Sequence, residues 1–282
     1  LRALIKINIS LALLLTISTA TFFAWQHFYP VTPHSGWSYQ ERLTDIQSPG
    51  AILLDSQKNI IVTEELTKSR GKIWKINPEG LRQLLVDNLS KPDGLALYNE
   101  GIVFSQEAGP FPVNLLRDGK IEPLFNGTNV QTLTVEGEYL YAIEDRKGYQ
   151  GRLLQYHAKT NSLNILRDNL DEAEALVICP DGQRFYTEKD RGLVKKFSED
   201  GQDSIYLQGL HQPGSLFCDA QGLWVSEDRN HRARLLLRKP NGELQTILSF
   251  LKSPQVLHPI APGHYLLAEG GRDRILELKQ LD

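Results

Sequence analysis

The chain of 282 residues has no excess of positive charge: 31 lysines and arginines stand against 34 aspartates and glutamates, a net charge of −3. That balance excludes the basic face on which nucleic-acid binding depends, so no nucleic-acid partner is expected. The local signatures of three chemistries are also missing. There is no Gly-x-Ser-x-Gly elbow, no zinc-ligand spacing and no glycine-rich phosphate loop. A serine-hydrolase reading therefore has no support. The body also lacks apolar residues at three- and four-residue spacing, which excludes a helical solenoid. Cysteine is reduced to two residues, Cys179 and Cys218, on neighbouring repeats and one position out of register. Two small buried apolar side chains are the expectation there. A disulfide is the alternative, and it needs a Cα separation of ~4–7 Å that sequence cannot test.

One stretch lacks charge altogether. Arg2 and Lys6 precede residues 7–25, INISLALLLTISTATFFAW. At ~1.5 Å per residue this run spans roughly 28 Å, about one hydrocarbon core. Positive charge ahead of it would keep the N-terminus cytoplasmic and export the rest of the chain. An uncleaved signal anchor over residues 1–28 is favoured, because the apolar run continues through Phe22, Phe23 and Trp25. A signal peptide cleaved near Ser18 and Ala20 is the rival, and would leave a secreted body. Either way residues 29–36 read as a linker and residues 37–282 as an extracytoplasmic body, with membrane contact through the N-terminal segment only.

What is present in that body is a repeat. Six apolar runs end in a glutamate, at Glu64, Glu107, Glu144, Glu188, Glu227 and Glu269, at intervals of 37 to 44 residues. That period is in the range of a propeller blade. Residues 91–125 show the parts: Lys-Pro-Asp-Gly, a strand, a turn at Asn99–Gly101, a second strand to Glu107, a loop, and two strands about Asp118-Gly119. Asp-Gly and Asn-Gly between apolar runs are hairpin signals. They recur as Asp181-Gly182, Asp200-Gly201 and Asn241-Gly242. Four short antiparallel strands per repeat predict an all-β, six-bladed β-propeller. The last repeat lacks an outer strand, and residues 38–46 supply one, so the N-terminal strand closes the ring. Closure within one chain predicts a monomer.

In such a ring the residue opening each inner strand shares a face with the glutamate ending each second strand. The openers are Gly50, Asp93, Gln131, Glu174, Gly214 and Gln255. Together they form a polar mouth around the central channel, the default place for a small-molecule ligand. Arg70, Arg152, Arg191, Arg234 and Arg274 follow five of the glutamates and are expected to brace them as ion pairs. Glu107 lacks such an arginine and becomes the candidate general base. Phe111, between Pro110 and Pro112, would wall the ligand beside it. Asp93, Glu174 and Gln131 supply the oxygen donors that suit a hard divalent cation. His211, His231 and His258 fall near the mouth. His211 is a second candidate base, and Gln255 and His258 are candidate ligand contacts.

Pro-x-Gly-Leu opening a strand and Leu-Tyr/Trp-Val-x-acid closing the next resemble the regucalcin/gluconolactonase propellers. Ser48-Pro49-Gly50 through Glu64 and Gln212-Pro213-Gly214 through Asp228 carry the likeness best. Strictosidine-synthase-like and NHL-repeat propellers, and paraoxonases, share the architecture. The resemblance implies a divalent metal at the mouth, usually Ca²⁺, activating a lactone or ester. It places ligands at the openers of the first, middle and fifth blades. Here Gly50 and Gly214 stand where two carboxylates would be, Glu174 holds the fourth-blade place and Gln131 the third. The expectation is a membrane-tethered propeller binding a small molecule, acting as a metal-assisted lactone or ester hydrolase. The alternative is a non-catalytic NHL-type scaffold for a protein or glycan.

Overall fold

A computed structural model describes residues 2–281, with side chains from residue 8. The Arg2 and Lys6 side chains, whose charges set the expected orientation, thus lie outside the described side chains. An α-helix, Arg2–Phe28, precedes the body. The body consists of six antiparallel sheets in sequence order. The first blade comprises Pro49–Leu54, Ile60–Glu64, Gly71–Ile76 and Arg82–Leu89, innermost to outermost. The four blades after it repeat the order. In the last, Pro254–Ala261, His264–Glu269 and Arg274–Gln280 are completed by Trp37–Thr44, which pairs with Arg274–Gln280. The ring therefore closes as the repeat predicts. One strand was not anticipated: Thr32–Pro33, within the expected linker, adds a fifth strand to blade five against Leu248 and Ser249.

Alternation along the strands sends side chains into the spaces between blades rather than into one central core. An apolar cluster fills each of the six junctions. Ile52, Val62, Leu266 and Ile275 bind blade one to blade six, and Leu53, Ile61, Phe104 and Leu116 bind it to blade two. At the closing junction Trp37 packs edge-on to Trp224 at 5.4 Å, and Tyr265 lies 4.8 Å from Trp224.

Cys179 and Cys218 are bonded, with Cα atoms 5.1 Å apart, which corrects the expectation of two buried thiols. The bond staples blade four to blade five across 39 residues of chain. Constraining the unfolded chain over a loop of that length stabilises by about 3–4 kcal/mol. Replacing both cysteines by alanine should lower the unfolding free energy by about that amount in guanidinium titrations. Reductant should then shift the midpoint of the parent protein and leave the variant unchanged. Equal stability of the two proteins would disprove the staple.

Candidate functional site

Five of the six inner strands begin with a register irregularity, the exception being Leu176–Ile178 of blade four. Pro49 faces Glu64, but Ile52 faces Val62, so Gly50 and Ala51 stand opposite a single residue. The same shift follows Pro92, Val130, Pro213 and Pro254. Bulges of this kind re-aim side chains, here towards the channel axis. Hydroxyls of the second strands hold them. Thr63 Oγ1 accepts the Ala51 N–H at 2.9 Å, Ser105 Oγ that of Gly94 at 3.0 Å, and Thr187 Oγ1 that of Ala175 at 3.0 Å.

The strand-ending glutamates are structural, and one was misassigned. Arg152 grips Glu144 with two bonds of 2.5 and 2.8 Å, and Arg234 grips Glu227 at 2.7 and 2.6 Å. Arg274 Nε meets Glu269 at 2.7 Å and Arg191 meets Glu188 at 2.8 Å. Each of three also accepts a backbone N–H leading into its own blade: Thr128 on Glu144, His211 on Glu227 and Lys252 on Glu269. Glu64 accepts the Gln47 N–H in the same way, but Arg70 turns to the Thr67 carbonyl instead. The sixth member of this ring is not Glu107 but Gln106, which faces Pro92 and accepts the Ser90 N–H at 2.7 Å.

Glu107 therefore belongs one step further on, in a second ring with Glu65, Asp145, Lys189, Asp228 and Gly270. This ring lies over the openers. A Cβ on Gly50 would sit 2.0 Å from Glu65 Oε1, and one on Gly214 would meet Asp228 Cβ at 2.8 Å and Glu174 Oε2 at 2.9 Å. The two carboxylates missing from the opener positions are thus replaced in space by Glu65 and Asp228.

The mouth has two halves. In one, Glu65 lies beside Asp93, and Lys91 forms an ion pair with Glu107, whose backbone N–H also donates to the Lys91 carbonyl at 2.9 Å. In the other a polar chain runs through four blades. Gln131 Nε2 donates to Asp145 at 3.2 Å and to Glu174 at 3.3 Å. Lys189 Nζ bridges Glu174 at 2.5 Å and Asp228 at 2.7 Å, and Gln255 donates to Asp228 at 3.0 Å.

Burial raises the carboxyl pKa values here. Glu65 and Glu174 are pushed well up, Glu65 further by Asp93 beside it. Burial and the Asp93 charge bring Glu107 to about 7 against the pull of Lys91. Burial, then the Glu172 charge, brings Asp145 to about 6. Burial works against the two ammonium groups, yet the neighbouring carboxylates outweigh it and raise both Lys91 and Lys189. Both lysines therefore stay cationic.

Of the expected metal ligands, Gln131 and Glu174 come together, while Asp93 sits in the other half with Glu65. Among the described residues no group of three or more histidine, cysteine or acidic side chains is arranged to hold a metal ion. The position between Glu174 and Asp228 that a cation would take is filled by the Lys189 ammonium. This donor set fits internal ammonium groups and does not fit a divalent metal.

Below the polar rings the channel continues as a cavity of about 340 Å³ of mixed character, lined by Asp93, Thr132, Thr134 and Ser215 beside leucines of the inner strands. His258 lines it rather than the mouth. Its Nε2 accepts the Leu54 N–H at 3.2 Å, and burial lowers its pKa to about 4, so it is neutral. His211 is exposed on the rim, with Nδ1 3.2 Å from Arg229. Phe111 packs on its own loop, 3.4 Å from the Cβ position of Gly109. Lys91 and Lys189 were missed in the sequence. The signal was there in the residue after each second strand, where Lys189 interrupts a run of acids.

The sequence matches no protein-family model. It matches no curated protein either. Solved structures do resemble the fold. A gluconolactonase from Xanthomonas campestris superposes with a TM-score of 0.73 at 14% identity, covering 89% of this chain and 97% of that one. A protein assigned to the gluconolactonases from its family gives 0.68 at 11% identity, with 88% and 95% covered. Virginiamycin B lyase from Staphylococcus aureus gives 0.62 at 14% identity, with 87% and 100% covered. At these identities the likeness is one of fold.

Proposed function

We propose that this chain is an extracytoplasmic, membrane-tethered propeller that hydrolyses a lactone or ester bound at the channel mouth. The observation that carries this is Glu107: a carboxyl poised at about 7, paired with a permanently charged Lys91, above the central channel. A base works best when its pKa lies near the working pH. Glu107 would take a proton from water as the water oxygen bonds to the carbonyl carbon. Lys91 would stabilise the oxyanion that develops. As the ring or ester C–O bond breaks, Glu107 returns the proton to the departing oxygen. The gluconolactonase neighbours support a lactone as the substrate class.

The channel, lined by Thr132, Thr134 and Ser215 as well as leucines, suits a ligand that carries both hydroxyl and aliphatic parts. In this reading Lys91 and Lys189 serve in place of the calcium implied by the family resemblance. Tethering is supported by the helix, apolar on all sides with Leu11, Leu14, Leu15 and Phe23 exposed, and the oxidising compartment by the disulfide. The test is turnover of a panel of hydroxylated lactones and aryl esters by the full chain in detergent, with and without chelator. Hydrolysis insensitive to chelator is expected. An inert protein would leave the binding scaffold as the better reading, and turnover abolished by chelator and restored by Ca²⁺ would overturn the ammonium reading.

A further inference from the structure

The end of the helix is fastened to the mouth face. Lys252 Nζ donates to the His27 carbonyl at 2.9 Å, and Arg272 donates to the Tyr29 carbonyl at 2.8 Å, so cations cap the helix C-terminus. Tyr29 packs tilted against Phe250, ring centroids 4.2 Å apart. Arg232 lies over Trp25 at 4.9 Å and Phe22 at 5.7 Å. Beyond the helix, Thr32–Pro33 pairs with blade five, which leaves little slack between helix and ring. Lys252, Arg232 and Arg272 all lie in connections that leave the ends of second strands or enter inner strands, the side on which the mouth opens. None of the apolar span Asn8–Phe28 is buried against the propeller, so the helix projects away from that face.

From these contacts we infer that the mouth face lies against the bilayer, its basic rim on anionic phospholipid headgroups, so that ligands enter the channel from the membrane surface. The inference rests on the helix being a membrane anchor. Arg232 reaches Phe22, six residues before Phe28 and about 9 Å along the helix axis. The headgroup layer is about 5–8 Å deep on each side of the hydrocarbon core. Arg232 and the aromatic rings beneath it therefore sit at headgroup level, where such belts collect. The loops joining second to third strands carry further exposed cations around the rim: Lys68, Arg70, Lys147 and Arg191. The exposed acids on the mouth-side connections are Asp45, Asp190 and Asp273, while the mouth carboxylates are drawn inward. A basic ring facing an anionic surface is held to it over roughly one Debye length.

The test uses the full chain in phosphatidylcholine vesicles with and without phosphatidylserine. Because Cys179 and Cys218 are bonded, a cysteine placed at Thr67 on the rim or at Lys120 on the opposite face is the free thiol for a donor dye. Energy transfer to a headgroup-labelled acceptor should be several-fold greater from position 67 than from position 120. It should increase further with phosphatidylserine, and salt or Arg232→Glu should reverse that increase. Equal transfer from the two positions, or greater transfer from position 120, overturns the orientation. Flotation of the same samples separates the two readings: a chain that does not float with vesicles refutes the anchor and this inference together. One that floats with the opposite face inward refutes only the inference.

Discussion

Lys189→Met should cost the protein about 3–5 kcal/mol at pH 8, the penalty for removing one partner from a buried ion pair. Lys189 bridges Glu174 and Asp228 across two blades, and its loss leaves two carboxylates 2.5 and 2.7 Å from a vanished cation. The cost should shrink as the pH falls. Glu174 already has a raised pKa in the folded state, so protonation relieves the repulsion, and the stability lost by the variant returns as the pH falls through that raised value. The variant should also acquire a property the parent lacks. Glu174, Asp228 and the amide oxygens of Gln131 and Gln255 would then form an all-oxygen set of the kind that binds Ca²⁺. Millimolar Ca²⁺ should raise the Tm of Lys189→Met and leave the parent unmoved, and Glu174→Gln in the same background should abolish the response. If Ca²⁺ stabilises parent and variant equally, Lys189 does not stand in for a metal.

The architecture was legible in the sequence because its period is carried by strand lengths and turn residues, which are local. Asp118-Gly119 and Asn241-Gly242 make their turns whatever surrounds them. The site was legible only in part. Asp93, Gln131, Glu174, Gln255 and Glu107 do line the mouth, since bulge and strand end place them there. Glu107 was put in the wrong ring because each second strand ends in a doublet: Glu64-Glu65, Gln106-Glu107, Glu144-Asp145, Glu188-Lys189, Glu227-Asp228. Matching on glutamate alone picks the first member in four of these and the second in one. The first member braces the blade and the second faces the channel, a difference set by strand register rather than residue type. Gly50 and Gly214 had the opposite effect. They read as lost ligands, yet the missing Cβ is what lets Glu65 and Asp228 lie over them. The disulfide was illegible for the same kind of reason, because a one-residue offset along the chain says little about the distance across a twisted blade junction.

Glu107→Gln should lower kcat/KM by roughly 10²–10⁴ with little change in KM, the usual contribution of a general base. The pH dependence separates this role from a structural one. In the parent, kcat/KM should fall about tenfold per pH unit below the Glu107 pKa, about 7, because protonation removes the base. The variant should lose that limb. Stability should move the other way. Glu107 titrates higher in the folded protein than in the unfolded chain, where a glutamate lies near 4.3, so the folded state binds the proton more tightly. Its contribution is present below about 4.3 and is lost as the pH rises through about 7. A neutral glutamine escapes that loss, and Lys91 keeps the nearby Asp93 and Glu65 as partners. The variant should therefore be no less stable than the parent at pH 8 while being far less active. An acidic limb that persists in Glu107→Gln would move the base elsewhere, and Asp145, raised to about 6 on the same ring, would be the first residue to replace.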